Sequence, residues 1–136
     1  MPTLLELAGG KCPQLDGRSL VSVLRGQEPR ARDRLHFEHA VCYSKEQAFQ
    51  ALMEGHSKYI WRPENGNEQL FDLDKDPREQ CDLAKDSAAA GLLKQWRSRM
   101  VRQLADRPEG FSDGVKLIAG RPYPPLQAGT RSRLER

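Results

Sequence analysis

Asn65-Gly66 stands between two short runs rich in aromatic and β-favouring residues, and no other pair restricts the fold as strongly. Both residues accept positive φ, so the dipeptide predicts a tight hairpin between strands near Lys58–Arg62 and Gln69–Leu73. Glu54-Gly55-His56-Ser57 supplies a second tight connection, back to a strand near Ala48–Met53, and a further strand is read at Leu35–Ala40. Consecutive hairpins make an antiparallel meander of about four strands. A sheet this small needs one covered face. The cover is the best helix in the sequence, about Ala88–Ala105, with Ser87 as N-cap candidate. Leu92, Leu93, Trp96, Met100 and Leu104 follow one face of it, while Lys94, Arg97, Arg99 and Arg102 are mostly free to face water.

Around this unit the chain is simpler. Pro2–Ala8 reads as a short helix stopped by Gly9-Gly10. A second helical piece follows the capping candidates Asp16-Gly17-Arg18-Ser19, through Leu20, Val21, Val23 and Leu24 to Gly26, with Pro29 beyond. After Arg107-Pro108, Glu109 to Leu126 is extended and rich in Gly and Pro, with one apolar piece at Val115–Ala119. The fold class expected is α+β: the meander packed against a C-terminal amphipathic helix, with short N-terminal helices and an extended C-terminal tail. Residues 1–30 form the first part, 31–126 the sheet-and-helix part, and 127–136 a disordered basic tail.

A chain of 136 residues has room for one domain of ordinary size. With 38% hydrophobic and 30% charged residues and a mean hydropathy of −0.74, its core is modest under a wet shell. No stretch approaches the ~20 apolar residues needed to span a bilayer, and Met1–Glu6 lacks the basic and apolar regions of a signal peptide, so no membrane partner is expected. The net charge of +3 is too slight to demand a polyanion. Its densest run, Arg131-Ser132-Arg133-Leu134-Glu135-Arg136, has no aromatic residue for base stacking, and no nucleic-acid partner is expected. Cys12, Cys42 and Cys81 are odd in number and show no CxxC spacing, which leaves free thiols as the default.

Three constellations could carry chemistry. Asp72-Leu73-Asp74-Lys75-Asp76 begins like a calcium loop, but Pro77 falls at the sixth position and Leu83 at the twelfth, so it reads as a strand running into an Asp-Pro turn. His36-Phe37-Glu38-His39 sets two histidines beside a carboxylate, suited to proton transfer or metal binding. On a strand His36 and Glu38 share a face and His39 takes the other, so the three converge only through a bulge. Tyr59, Trp61 and Phe71 offer either an aromatic platform for sugar or aryl groups or, the simpler reading, cross-strand pairs under the Trp96 helix.

Taken as ordered blocks, residues 1 to 126 resemble the C-terminal end of the sulfatase family, in a bacterial arylsulfatase branch of the alkaline-phosphatase-like superfamily. The blocks are Pro2-Thr3-Leu4-Leu5-Glu6-Leu7-Ala8-Gly9, Leu15-Asp16-Gly17-Arg18-Ser19-Leu20, Arg34–His39, Glu54–Trp61, Glu68–Leu73 leading into Asp76-Pro77-Arg78-Glu79, and Arg107-Pro108-Glu109-Gly110-Phe111. The resemblance implies an intact enzyme that hydrolyses sulfate esters with a formylglycine, made from Cys or Ser in a Cys/Ser-x-Pro-x-Arg motif, beside a calcium ion. Neither motif nor ligands stand in this sequence: in Cys12-Pro13-Gln14-Leu15-Asp16 the position for Arg is Asp16, and no Asp-Asp or Asp-Asn pair occurs.

The expectation is therefore a non-catalytic C-terminal subdomain, with residues 1–30 the remnant of a late catalytic domain and Met1 an internal methionine of a longer frame. Calcium and formylglycine belong to the intact enzyme, and no cofactor to this chain. By resemblance and position, His36, Glu38, His39 and His56 are the candidates for substrate-cleft contacts, orienting or charge-balancing a sulfate. The partners implied are the catalytic domain of the parent sulfatase, or a second copy through the exposed interface. The alternative is a standalone module that binds a protein or a sulfated glycan. The resemblance suggests a periplasmic or secreted parent.

Overall fold

The structure, a computed structural model, describes residues 1–10, 17–27, 32–41 and 44–122. Cys12, Asp16, Pro29, Cys42, the Arg131–Arg136 run and the tail expected at 127–136 lie outside the described residues. The chain divides into two compact units, Met1–Asp33 and Arg34–Arg136.

In the first unit, α1 (Pro2–Leu7) opens on a proline, whose missing N–H costs nothing at a helix start. Gly9 closes it at φ 73°. One turn of helix, α2 (Val21–Leu24), follows. The N-cap of α2 is Leu20, with no side-chain cap; Ser19 Oγ, one residue earlier, accepts from Val21 N at 3.2 Å, and Thr3 Oγ1 accepts from Leu20 N at 3.1 Å, tying α2 to α1. Pro2 and Val21 are buried, whereas Leu4, Leu7, Leu20 and Leu24 are exposed.

The second unit is α+β. Its sheet runs β1 (Arg34–His39), β2 (Phe49–Glu54), β3 (Ser57–Trp61) and β4 (Glu68–Asp72), antiparallel and in sequence order. At the β3–β4 turn Gly66 takes φ 76°, its N–H donates to Arg62 O at 2.8 Å, and Asn65 Oδ1 accepts from Asn67 N. The pairing Leu52↔Tyr59 and Tyr59↔Leu70 puts these side chains on one face, together with Trp61, and α3 (Ala90–Gln103) lies over it. The core formed there contains Leu52, Tyr59, Trp61, Leu70, Trp96, Met100, Leu104 and Phe111. Tyr59 stacks on Trp96 at 6.4 Å between ring centroids, and Trp61 meets Phe111 edge-on at 5.7 Å. These two rings are core, as the cross-strand reading has it. Phe71, paired in register with Lys58, is on the opposite face.

Several details differ from the sequence reading. Ser87 does not cap α3: its N-cap is Ala89, without a side-chain bond, and the preceding 3-10 turn Ser87–Ala89 is capped by Asp86, whose Oδ1 accepts from Ala88 N. Leu92 is exposed and Val101 is buried, because the covered stripe winds round the helix at 3.6 residues per turn. Arg97 stays exposed, as expected, but is ion-paired, and only Arg99 of the four α3 cations is half-buried. Arg97 Nε donates to Glu68 Oε1 at 2.8 Å, and the Arg99 guanidinium lies 4.7 Å from the Trp96 ring centre. Asp72 and Asp76 serve the local backbone, with Asp72 Oδ1 accepting from Asp74 N and Asp76 Oδ2 from Cys81 N, while the Asp74 carboxylate faces the His56 ring. Beside β4, Asp82 Oδ1 accepts from Leu70 N at 3.1 Å and from Ala84 N at 3.0 Å. Among the described residues, no helix is long and apolar enough to cross a membrane.

Candidate functional site

The period of two in β1 places Arg34, His36 and Glu38 on the α3 side of the sheet. Register then sets Glu38 opposite Gln50. Gln50 is fully buried, so its amide must be satisfied within the protein. Its Nε2 donates to Glu38 Oε2 at 2.8 Å, which turns its Oε1 toward His36 Nε2, also at 2.8 Å. A carbonyl oxygen can only accept, so His36 carries a proton on Nε2.

Arg107, just past α3, completes the array. Its Nη2 donates to Glu38 Oε2 at 2.9 Å and to Glu109 Oε1 at 2.7 Å, and its Nε donates to Glu109 Oε2 at 3.1 Å. The bond to Glu109 is the main cause that raises the arginine's pKa, against its partial burial, with Glu38 adding to it. The same bond holds the Glu109 carboxyl below its ordinary range. His36, Gln50, Glu38, Arg107 and Glu109 thus form one continuous polar chain that joins β1 and β2 to the segment after α3. It holds a protonated ring nitrogen and two carboxylates clamped by one guanidinium, an arrangement able to orient a polar ligand or fix a histidine's tautomer.

The other candidates stand apart from it. His39 is on the opposite sheet face, stacked on Phe49 at 5.8 Å between ring centroids, and its buried Nδ1 has no hydrogen-bond partner among the described residues. His56 sits in the β2–β3 turn, exposed, with Nδ1 3.1 Å from Asp74 Oδ1. The structure therefore brings together His36 and Glu38 of the four. Gln50 and Arg107 were not singled out in the sequence. The usable signal for Gln50 was a polar residue on an otherwise apolar strand. Among the described residues no group of three or more His, Cys, Asp and Glu side chains is placed to hold a metal ion.

No family profile matches the chain. It is similar to an arylsulfatase of Clostridium perfringens, 32% identical over 128 residues, covering 93% of this chain and 26% of that protein. It is also similar to the multifunctional alkaline phosphatase superfamily protein PehA of Trinickia caryophylli, 34% identical over 115 residues, with 74% of this chain and 22% of that protein covered. Among solved structures, a 2-O GAG sulfatase superposes with a TM-score of 0.70 at 25% identity, covering 91% of this chain and 30% of the other. The chain spans about a quarter of the length of the curated relatives it matches.

Proposed function

Since the chain is homologous to the C-terminal part of arylsulfatases and sulfatases of the alkaline-phosphatase-like superfamily, we propose that it is the non-catalytic C-terminal subdomain of a sulfatase-like hydrolase. In this reading it docks on a catalytic part and borders the cleft that takes sulfated aryl or carbohydrate compounds. The observation that carries it is the match over 93% of the chain to an arylsulfatase, in a sequence without Cys/Ser-x-Pro-x-Arg or paired acidic ligands. Formylglycine and calcium are assigned to the catalytic part, and no step on this chain runs through them.

The docking face we assign is the side of the sheet away from α3. Leu35 is exposed there, Phe37 and Phe49 are half-buried and meet edge-on at 6.3 Å, and the unpartnered His39 Nδ1 lies beside them. Exposed apolar surface of this kind suits a partner that brings an apolar patch. His36, Glu38 and His39 are the candidates for cleft contacts in this scheme, His36 and Glu38 from the α3 side of the sheet and His39 from the docking face. His56 is at the rim.

Two measurements test the reading. Incubating the isolated chain with an aryl sulfate and calcium should give no turnover above background, and turnover would overturn it. Translating the DNA upstream of Met1 in frame should reveal a formylglycine motif and acidic ligands with no stop. A stop codon and ribosome-binding site would instead favour a standalone module that binds a protein or a sulfated glycan.

A further inference from the structure

Where β1 gives way to the turn at Lys45–Gln47, near the β3–β4 hairpin, lies a cavity of about 170 Å3. Ala48, Pro63 and Pro122 give it apolar walls, and Lys45, Glu64 and Arg121 bring charge to it. Gly120, at φ 73°, donates its N–H to Pro63 O at 2.8 Å and so fastens the later segment against the hairpin to close one side. The backbone frame of the cavity is therefore hydrogen-bonded, not loose.

Its charges are unlike those elsewhere on the sheet. Arg34 is paired with Glu54, Lys58 with Glu79, Arg97 with Glu68 and Arg107 with Glu38 and Glu109. The side chains of Lys45, Glu64 and Arg121 have no hydrogen bond or ion pair among the described residues. Two exposed cations beside apolar walls, Lys45 next to the Glu46 charge and Arg121 without an ion pair, favour an anionic group, and the exposed Glu64 carboxylate disfavours a second one while it accepts from hydroxyls. Pockets for drug-sized ligands run to roughly 300–1,000 Å3. A cavity of about 170 Å3 holds only a single small ring and its substituent.

We propose that this cavity binds one sugar ring bearing a single anionic substituent, a sulfate ester or a carboxylate, with the ring's C–H face on Pro63 and Pro122. The anionic group lies between Lys45 and Arg121, and a ring hydroxyl donates to Glu64. The assignment of a sugar rests on the function proposed above, for which it names the substrate class and the contacts.

The test is a titration of the full 136-residue chain followed by backbone amide NMR, at constant ionic strength, with glucose 6-sulfate, glucuronic acid, glucose and sodium sulfate as probes. Glucose 6-sulfate or glucuronic acid should shift the amides of Ala48, Glu64 and Gly120, and the tighter of the two identifies the substituent. Glucose should bind at least tenfold more weakly. Lys45→Gln and Arg121→Gln should each weaken binding fivefold or more, and the charge-keeping Lys45→Arg should restore it. Equal shifts with sodium sulfate would reduce the site to an anion trap and overturn the proposal, as would equal binding of glucose or shifts confined to α3. The titration is independent of docking: a chain that turns over aryl sulfate by itself overturns the subdomain reading and leaves these shifts unchanged.

Discussion

Arg107 holds together parts of the chain that the backbone leaves separate, and its clamp makes Glu109 a reporter of folding. The guanidinium's hydrogen bond is the leading cause that lowers the Glu109 pKa below its ordinary 4.5. A carboxyl whose pKa is lower folded than unfolded contributes stability that is present above the unfolded value and lost as pH falls through the folded one. Acidifying from neutral pH should therefore cost the wild type more stability than Glu109→Gln, as measured by urea midpoints at each pH. Gln50→Leu should destabilise by about 2 kcal/mol in the same assay, because it strands the His36 N–H and removes a donor from Glu38. The shared face of His36 and Glu38 was legible from strand periodicity. Their partners were not: Gln50 meets Glu38 only once the register is set, and Arg107 arrives from the far side of α3. Lys45, Glu64 and Arg121 read in the sequence as ordinary loop charges, since nothing local records that Gly120 binds back to Pro63.

The hairpins are the elements that the sequence specifies most directly, and each strand falls within one residue of its expected ends. At the β3–β4 turn, Gly66→Ala would force a side chain into left-handed backbone, at about 1–2 kcal/mol. The new Cβ would also come within 3.3 Å of the Ala119 Cβ. The expected outcome is a lowered melting temperature, with weakened protection of the Arg62 and Gly66 amides in hydrogen exchange. The start of α3 was harder to read. Asp86 and Ser87 are both good caps by residue type, but the chain first makes a 3-10 turn, which Asp86 caps, and α3 then starts at Ala89 with no side-chain cap. Arg99 departs from the expected water-facing side for a different reason. A long stem can lie along apolar surface and carry its charge over Trp96, which helical periodicity alone does not reveal.

Across the whole molecule, the second unit relies on one cluster between sheet and helix, with Trp96 stacked on Tyr59 near its middle. Trp96→Ala should cost about 3–5 kcal/mol and unfold sheet and helix in one transition, seen as coincident loss of near- and far-UV circular dichroism. The α+β architecture was legible at this scale because turn residues, strand periodicity and one amphipathic helix all agree. Function was legible only through resemblance, since a small sheet under a helix hosts many chemistries. Asp82, which takes the Leu70 amide, stands where a fifth strand would have to attach. With that margin stoppered, strand addition to the described strands is left to the β1 side. Two copies that met there would each spend the one margin that the described strands leave without such a stopper, so the series would end at a pair.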